Sequence, residues 1–213
     1  MNNHKYIFNY LLHPQSCSVS IMEQVYKRID VANRIVIDPF CGTGTTLLAG
    51  LTRNPKLIIG TDIQPDFSET TRHQLVGIIN TRSFSEDRII LEYGIDAKCA
   101  IKKYNFDMVI TDPPNPFMIL GYSNIRHPRD LHMTGNEVKK YWEPRLVSEN
   151  LINKQDKTIN YVKELFDEIL SKNKGLIANL FETKSGKWSY YDEFKEGYTL
   201  EHLYRHWYKV SKC

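Results

Sequence analysis

Four acidic residues follow short apolar runs along the chain, and their carboxylates are the groups best suited to chemistry. Asp38, Asp62, Asp96 and Asp112 stand at or near the ends of these runs. A carboxylate can bind a cation, accept hydrogen bonds from hydroxyl or amino groups, or take up a proton. For each acid the structural alternative is a simple cap of a strand end or a helix start. Four acids at successive run ends favour a ligand site over four separate caps.

The segment DPFCGTGTT, residues 38–46, combines one of these acids with two glycines. Gly42 and Gly44 allow the backbone to turn sharply and to approach a ligand closely. A dinucleotide-binding loop would need a third glycine where Leu47 stands, and a P-loop would need a lysine that the segment lacks. Asp38 would also repel a phosphate. The segment therefore predicts a ligand that carries an ammonium group rather than a pyrophosphate.

The next two acids indicate what else this ligand contains. Asp62 could accept hydrogen bonds from two ribose hydroxyls, and Asp96 could accept one from the exocyclic amine of adenine. Ammonium, ribose and adenine together describe S-adenosyl-L-methionine, which is the predicted cofactor. The sequence has no cluster of cysteines and histidines at metal-ligand spacing, so no metal is predicted.

The elements that must hold these acids alternate between strands and helices. Apolar runs predict strands buried on both faces within residues 34–40, 56–63, 88–96, 106–114 and 175–182. Apolar residues at helical spacing predict helices over residues 45–51, 66–79 and 159–170. Gly175 is the predicted stop of the last helix, and a capping box at Ser20 and Glu23 predicts an earlier one. The alternation predicts an α/β fold with a doubly wound, mostly parallel sheet.

Length and composition are those of one soluble domain over residues 1–213, with 41% hydrophobic and 25% charged residues. The net charge of +3 is too small to establish a nucleic-acid partner, although it permits a local basic face. The sequence shows no membrane-spanning run and no signal peptide, and its cysteines form no close pair. We expect a cytoplasmic protein with free thiols and no membrane contact. Residues 115–158 lack a clear pattern and are predicted to form an irregular insert that recognises substrate.

Residues 38–46 and the segment TDPPN, residues 111–115, resemble the amino-methyltransferases, which methylate exocyclic amines of nucleic-acid bases. The order of His13-Pro14, the glycine loop and the DPP motif is similar to that of gamma-type DNA adenine-N6 methyltransferases, and the resemblance covers about residues 10 to 182. It implies a Rossmann-like class I methyltransferase fold. The resemblance, together with the acids at the strand ends, implies these cofactor-binding residues: His13, Pro14, Asp38, Pro39, Phe40, Gly42, Thr43, Gly44, Thr45, Asp62, Ile63, Asp96 and Ala97.

By the same resemblance, Asp112, Pro113, Pro114 and Asn115 form the catalytic segment. The Asp112 carboxylate and the Pro113 carbonyl would accept the two protons of the target amine, and the prolines would keep these acceptors aimed. Such enzymes flip the target base out of the duplex. The chain departs from the family at Asn115, where an aromatic residue is expected to stack on the base.

Three explanations of this departure stay open. Phe117 or Tyr122 could supply the missing stack, Asn115 could hydrogen-bond the base edge, or activity could be weak or lost, as in a non-catalytic subunit of a methyltransferase complex. Arg126 and Arg129 follow closely. Phe117, Tyr122, Arg126 and Arg129 are the predicted substrate-binding residues.

The resemblance favours adenine N6 in DNA as the substrate, with a role in restriction-modification. The alternative is guanine N2 or adenine N6 of tRNA or rRNA. The chain offers no separate recognition domain, so a partner subunit or domain is a further expectation. Near the C-terminus, Leu200, Leu203 and Trp207 are predicted to be core residues of a final hairpin.

Overall fold

The computed structural model describes residues 17–65, 68, 71, 72, 75, 86–114, 155–182 and 189–213. Its helices are α1 (Val19–Tyr26), α2 (Thr45–Leu51), α3 (Ala97–Lys103), α4 (Gln155–Ser171) and α5 (Tyr190–Phe194). Its strands are β1 (Ile35–Asp38), β2 (Leu57–Asp62), β3 (Ile89–Tyr93), β4 (Met108–Thr111), β5 (Gly175–Asn179), β6 (Tyr198–Tyr204) and β7 (Trp207–Lys212). A short 3₁₀ turn, Glu86–Arg88, precedes β3.

The described strands form one sheet in the order β3-β2-β1-β4-β5-β7-β6. The first five strands pair in parallel, whereas β7 pairs antiparallel with both β5 and β6. The strand order reverses between β1 and β4, because the chain moves outward to β3 and then returns to the centre. The prediction of a doubly wound, mostly parallel sheet is therefore confirmed. Its carboxyl edge beside β1 and β4 is where ligands bind in such folds.

Apolar residues cover both faces of the central strands. Val36 packs with α1 and α2 on one face, and Ile37 packs with α3, α4 and α5 on the other. This alternation explains why the strands read as continuous apolar runs. The prediction of strands buried on both faces is wrong for β3, where all five residues are partly exposed because β3 is the edge strand.

Two predicted helix boundaries are also wrong. The first helix begins at Val19 with Ser18 at the N-cap, and its side chain makes no capping bond, so Ser20 and Glu23 form no capping box. The helix α4 ends at Ser171, and Asn173 takes the left-handed backbone that ends it, with φ 55°. Gly175 is instead the first residue of β5.

The helix α2 has the predicted bounds, whereas the predicted helix at 66–79 falls largely outside the described residues. Residues 68, 71, 72 and 75 of it are described and are helical. Of the predicted insert, residues 115–154 lie outside the described part, and 155–158 already belong to α4 rather than to an irregular segment.

The C-terminal hairpin is formed by β6 and β7. Trp207 is a core residue as predicted, with 1% of its surface exposed, whereas Leu200 and Leu203 are only partly buried. None of the described helices combines the length and the apolarity needed to cross a lipid bilayer.

Candidate functional site

The glycine loop connects the end of β1 to the start of α2. Gly42 and Gly44 both have a left-handed backbone, with φ of 50° and 84°. The Gly44 amide donates to the Cys41 carbonyl at 2.8 Å, which closes the turn, and Gly44 is the N-cap of α2. A Cβ atom at Gly44 would lie 2.6 Å from Cγ2 of Thr71. The two positions thus need glycine for the reason that the sequence indicated.

Asp38 is the last residue of β1, and only 1% of its surface is exposed. Its Oδ1 accepts hydrogen bonds from the Phe40 amide at 3.1 Å and from the Thr111 hydroxyl at 2.7 Å. Its Oδ2 has no partner among the described residues. Burial raises the pKa of the Asp38 carboxyl to about 6, and interactions with the Thr111 and Thr46 hydroxyls and the Phe40 amide offset part of the rise. A buried, half-satisfied carboxylate is stabilised by a cation.

Two threonine hydroxyls of the same loop also lack partners. Thr43 and Thr45 are buried, and their Oγ1 atoms make no hydrogen bond with the described residues. An unsatisfied buried polar atom costs about 1–3 kcal/mol. Three such atoms within one short loop are positions that a polar ligand or ordered water can satisfy. They form a site of the kind that an ammonium, a carboxylate and hydroxyl groups would fill.

Asp62 ends β2 and holds the glycine loop in place. Its Oδ2 accepts from the Gly42 amide at 2.8 Å, and its Oδ1 accepts from the Gln64 amide at 2.9 Å. Burial raises the pKa of the Asp62 carboxyl to about 7. Each oxygen keeps a second lone pair. The ribose role therefore stays a prediction, alongside a positioning role that the sequence did not reveal.

Tyr93, at the end of β3, also supports this loop. Its hydroxyl lies 3.1 Å from the Gly42 carbonyl oxygen and 2.6 Å from the Thr71 hydroxyl. Sequence reasoning missed Tyr93, since a tyrosine at the end of an apolar run carries no signal that distinguishes it from a core residue.

Asp96 lies three residues beyond the end of β3 rather than at the strand end, and it is the N-cap of α3. Its Oδ1 accepts from the amides of Lys98 and Cys99 at 2.9 and 3.4 Å. The Tyr161 hydroxyl donates to its Oδ2 at 2.7 Å. The capping alternative thus accounts for one oxygen of Asp96, and its role at adenine stays a prediction.

Tyr161 joins two predicted cofactor residues, although sequence reasoning missed it. Besides its bond to Asp96, its ring meets the Phe40 ring edge to face, with the ring centroids 6.5 Å apart. Of the predicted residues that follow Asp62 and Asp96 directly, Ile63 is partly exposed and Ala97 is buried at the start of α3. Tyr161 gave no signal because it lies beside the apolar stripe of α4 rather than on it.

The DPP segment begins directly after β4 and is held by residues from two later elements. The Asn179 side-chain amide, at the end of β5, donates to Oδ1 of Asp112 at 3.0 Å. The Tyr190 hydroxyl, on α5, donates to the Pro114 carbonyl at 2.7 Å. Pro113 itself is buried. Neither Asn179 nor Tyr190 was predicted, although a polar residue within the apolar run GLIANLFE was a usable signal for Asn179.

The Asp112 carboxyl has a raised pKa of about 7. Desolvation is the main cause, the Asn179 hydrogen bond lowers the pKa, and the negative charge of Asp38 raises it further. A value this close to neutral pH is that of a group able to accept a proton. The structure therefore brings Asp38 and Asp112 together, and Thr111 links the strands that carry them.

Seven predicted site residues lie outside the described residues: His13, Pro14, Asn115, Phe117, Tyr122, Arg126 and Arg129. Their roles stay predictions. Within the part of the chain that is described, no group of three or more His, Cys, Asp or Glu side chains is placed to hold a metal ion.

Similarity to solved structures confirms the predicted Rossmann-like class I methyltransferase fold. A ribosomal protein L11 methylase from Lactobacillus delbrueckii subsp. bulgaricus is 12% identical, with a TM-score of 0.53 over 92% of this chain and 78% of that one. A precorrin 8w decarboxylase from Methanobacterium thermoautotrophicum is also 12% identical, with a TM-score of 0.53 over 94% and 83%. A candidate rRNA methylase from Clostridium thermocellum is 11% identical, with a TM-score of 0.50 over 93% and 97%.

Identities this low show a shared fold, and the three proteins differ in their described reactions. No protein-family model matches the sequence, and no curated protein matches it either.

Asp38→Asn should stabilise the ligand-free protein above about pH 7 and change little near pH 4. The pKa of Asp38 is about 6 in the folded state and 3.8 in the unfolded state. Between these pH values the folded state binds more protons, so the Asp38 carboxylate lowers the free energy of unfolding as the pH rises. The pKa difference corresponds to about 3 kcal/mol, and the unpartnered amide of Asn offsets part of this, so we expect a gain of roughly 1–2 kcal/mol.

Thermal melting at several pH values measures this gain. The matched control is Asp167→Asn, which removes an exposed carboxylate and should not produce the same pH dependence. Equal stability of parent and Asp38→Asn proteins at about pH 8 would contradict the assignment of Asp38 as an uncompensated buried charge.

Proposed function

We propose that the chain is an S-adenosylmethionine-dependent methyltransferase that acts on an exocyclic amino group of a nucleic-acid base. The observation that carries the proposal is one hydrogen bond that joins the ends of the two strands that lead to Asp38 and Asp112. Oδ2 of the buried Asp38 has no hydrogen-bond partner among the described residues, Thr111 donates to Oδ1, and Asp112 follows Thr111 directly. In this proposal one acid would take the cationic cofactor, and its neighbour would take the substrate amine.

The residues of the glycine loop fit the proposed cofactor. Asp38 Oδ2 would accept the ammonium group, and the free hydroxyls of Thr43 and Thr45 would satisfy its polar atoms. Asp62 and Asp96 would take the ribose and the adenine with their remaining lone pairs. When bound, S-adenosylmethionine supplies an electrophilic methyl group on a sulfonium.

The DPP segment positions the amine. Asn179 occupies Oδ1 of Asp112, which leaves Oδ2 for one amine hydrogen, and the Pro113 carbonyl would accept the other. Tyr190 fixes the following carbonyl, so the turn cannot rotate freely. Because its pKa is about 7, Asp112 can also take up the proton that the nitrogen releases when it gains the methyl group. Catalysis would rest on positioning and on this acceptor.

Adenine N6 in DNA is the specific substrate that we propose, and its support is the resemblance of the DPP motif. Amines of RNA bases would fit the same pair of acceptors. A partner subunit or domain that selects the sequence belongs to the same proposal. The insert within residues 115–154 is the remaining part of the chain proposed to contact the base.

Asp112→Ala should abolish methyl transfer and leave cofactor binding nearly intact, because Asp112 is assigned to the substrate amine. The measurement is tritium transfer from labelled cofactor to genomic DNA and to total RNA in parallel, followed by nucleoside analysis. Calorimetry gives the cofactor affinity of the same variant. Turnover within a few-fold of the parent would contradict the role of Asp112, and label in RNA alone would reassign the substrate from DNA to RNA.

Asn179→Ala should move the acid limb of the pH–rate profile to higher pH. The Asn179 amide stabilises the ionised form of Asp112, so its loss raises the pKa at which Asp112 gains a proton. Tyr190→Phe is the matched control, since it removes a bond to Pro114 but none to Asp112. We expect it to lower kcat without moving the profile. An unchanged profile in Asn179→Ala would show that Asn179 does not tune Asp112.

A further inference from the structure

Arg205 stands in a backbone conformation that its side chain does not favour. Among the described residues, four non-glycine residues have a positive φ: Asn33, Asn54, Asn173 and Arg205. Asparagine tolerates the left-handed region well, whereas arginine does so rarely. Arg205, with φ 53°, is the exception, and it occupies the turn between β6 and β7. A two-residue hairpin turn favours a positive φ, and asparagine or glycine is the residue type usually found there.

The turn that carries Arg205 lies at the carboxyl edge of the sheet, beside the DPP segment. Trp207 pairs with Asn179, the residue that holds Asp112, and the Leu180 amide donates to the His206 carbonyl at 2.7 Å. The Cys17 thiol lies within electrostatic range of both Asp112 and Arg205. The exposed tip of the hairpin is thus a neighbour of the proposed amine site.

A second arginine meets the same turn. The Arg28 guanidinium lies 4.9 Å from the centroid of the Tyr204 ring, and that of Arg205 lies 5.8 Å from it. Arg28 is held there by a hydrogen bond of 2.7 Å to the Gln24 carbonyl. Both arginines are exposed. Two cations are therefore placed around one aromatic ring at the surface.

Most of the described lysines have acidic partners, whereas Lys27, Lys56 and Lys174 have none among the described residues. Eight lysines form ion pairs with carboxylates: Lys98, Lys102, Lys103, Lys163, Lys172, Lys195, Lys209 and Lys212. Within the described ranges, neither Arg28 nor Arg205 pairs with a carboxylate. Two guanidinium groups around one ring, with no carboxylate partner among the described residues, favour an anionic ligand.

We propose that Arg28 and Arg205 bind the phosphate backbone of the nucleic acid whose base enters the Asp112 site. The inference rests on the proposed function and extends it to a contact outside the cofactor loop. A guanidinium presents planar, paired donors that match phosphate oxygens, which favours arginine over lysine here. Tyr204 holds both groups in place by cation–π contact, so less side-chain freedom is lost on binding.

The test uses Arg205→Asn, because asparagine fits the left-handed backbone and removes the charge. Arg28→Gln is the second variant. The control is Lys212→Gln, which removes one exposed positive charge at the far end of the same hairpin. The probes are a fluorescein-labelled DNA duplex, a single-stranded DNA and an RNA stem-loop, measured by fluorescence anisotropy over a series of salt concentrations.

Arg205→Asn should weaken binding about tenfold at roughly 0.1 M salt and lower the slope of log affinity against log salt by about one. It should melt at or above the parent temperature, which separates lost binding from lost folding. Arg28→Gln should act in the same direction, and Lys212→Gln should bind as the parent does.

A parent that binds nucleic acid, with unchanged affinity in both arginine variants, would overturn the hairpin contact and leave the proposed methyl transfer standing. A parent that binds none of the three probes would overturn both the contact and the nucleic-acid substrate. If Lys212→Gln weakens binding as much as the arginine variants do, the loss reflects total charge rather than a specific contact, and the hairpin contact is also overturned.

Discussion

The desolvation of carboxylates at one edge of the sheet is the constraint on which the rest of the site depends. Asp38, Asp62 and Asp112 all have pKa values raised toward neutral pH, and desolvation is the first cause in each. Their charges also disfavour one another, since Asp38 raises the pKa of both other acids. A fold keeps such a cluster at a cost in stability. A cationic ligand and a hydrogen-bond donor that offset this cost would explain why the fold keeps the three acids together.

The sheet order turns separate acids into one site. Because β1 and β4 are adjacent, Thr111 reaches Asp38, and because β5 follows β4, Asn179 reaches Asp112. Asp62 then joins the glycine loop to β2. Each acid is thus held by a donor from a neighbouring strand end or loop. The antiparallel β7 continues this series of contacts outward to the hairpin tip, which carries Arg205, and Arg28 meets the Tyr204 ring beside it.

Most of the fold followed from the sequence, because parallel strands buried on both faces leave continuous apolar runs. The exception, β3, read as fully buried because its apolar residues do not reveal that it lies at the sheet edge. The glycine loop was also predictable, since Gly42 and Gly44 are needed where φ is positive. The partners of the acids were not, because Asn179 and Tyr161 meet Asp112 and Asp96 only through tertiary packing. The polar residue within the run GLIANLFE marks Asn179 as unusual, but sequence spacing does not identify the partner of Asn179 or of Tyr161.

Proton release on cofactor binding tests the central claim most directly. Calorimetric titration of S-adenosylmethionine at about pH 6, in buffers of different ionisation enthalpy, gives the number of protons exchanged. Asp38 and Asp62, with pKa values of about 6 and 7, are partly protonated there, and a cation beside them should lower both values. The account predicts net proton release, which Asp38→Asn should reduce. No exchange, or net proton uptake, would contradict the assignment of these buried acids to a cationic cofactor.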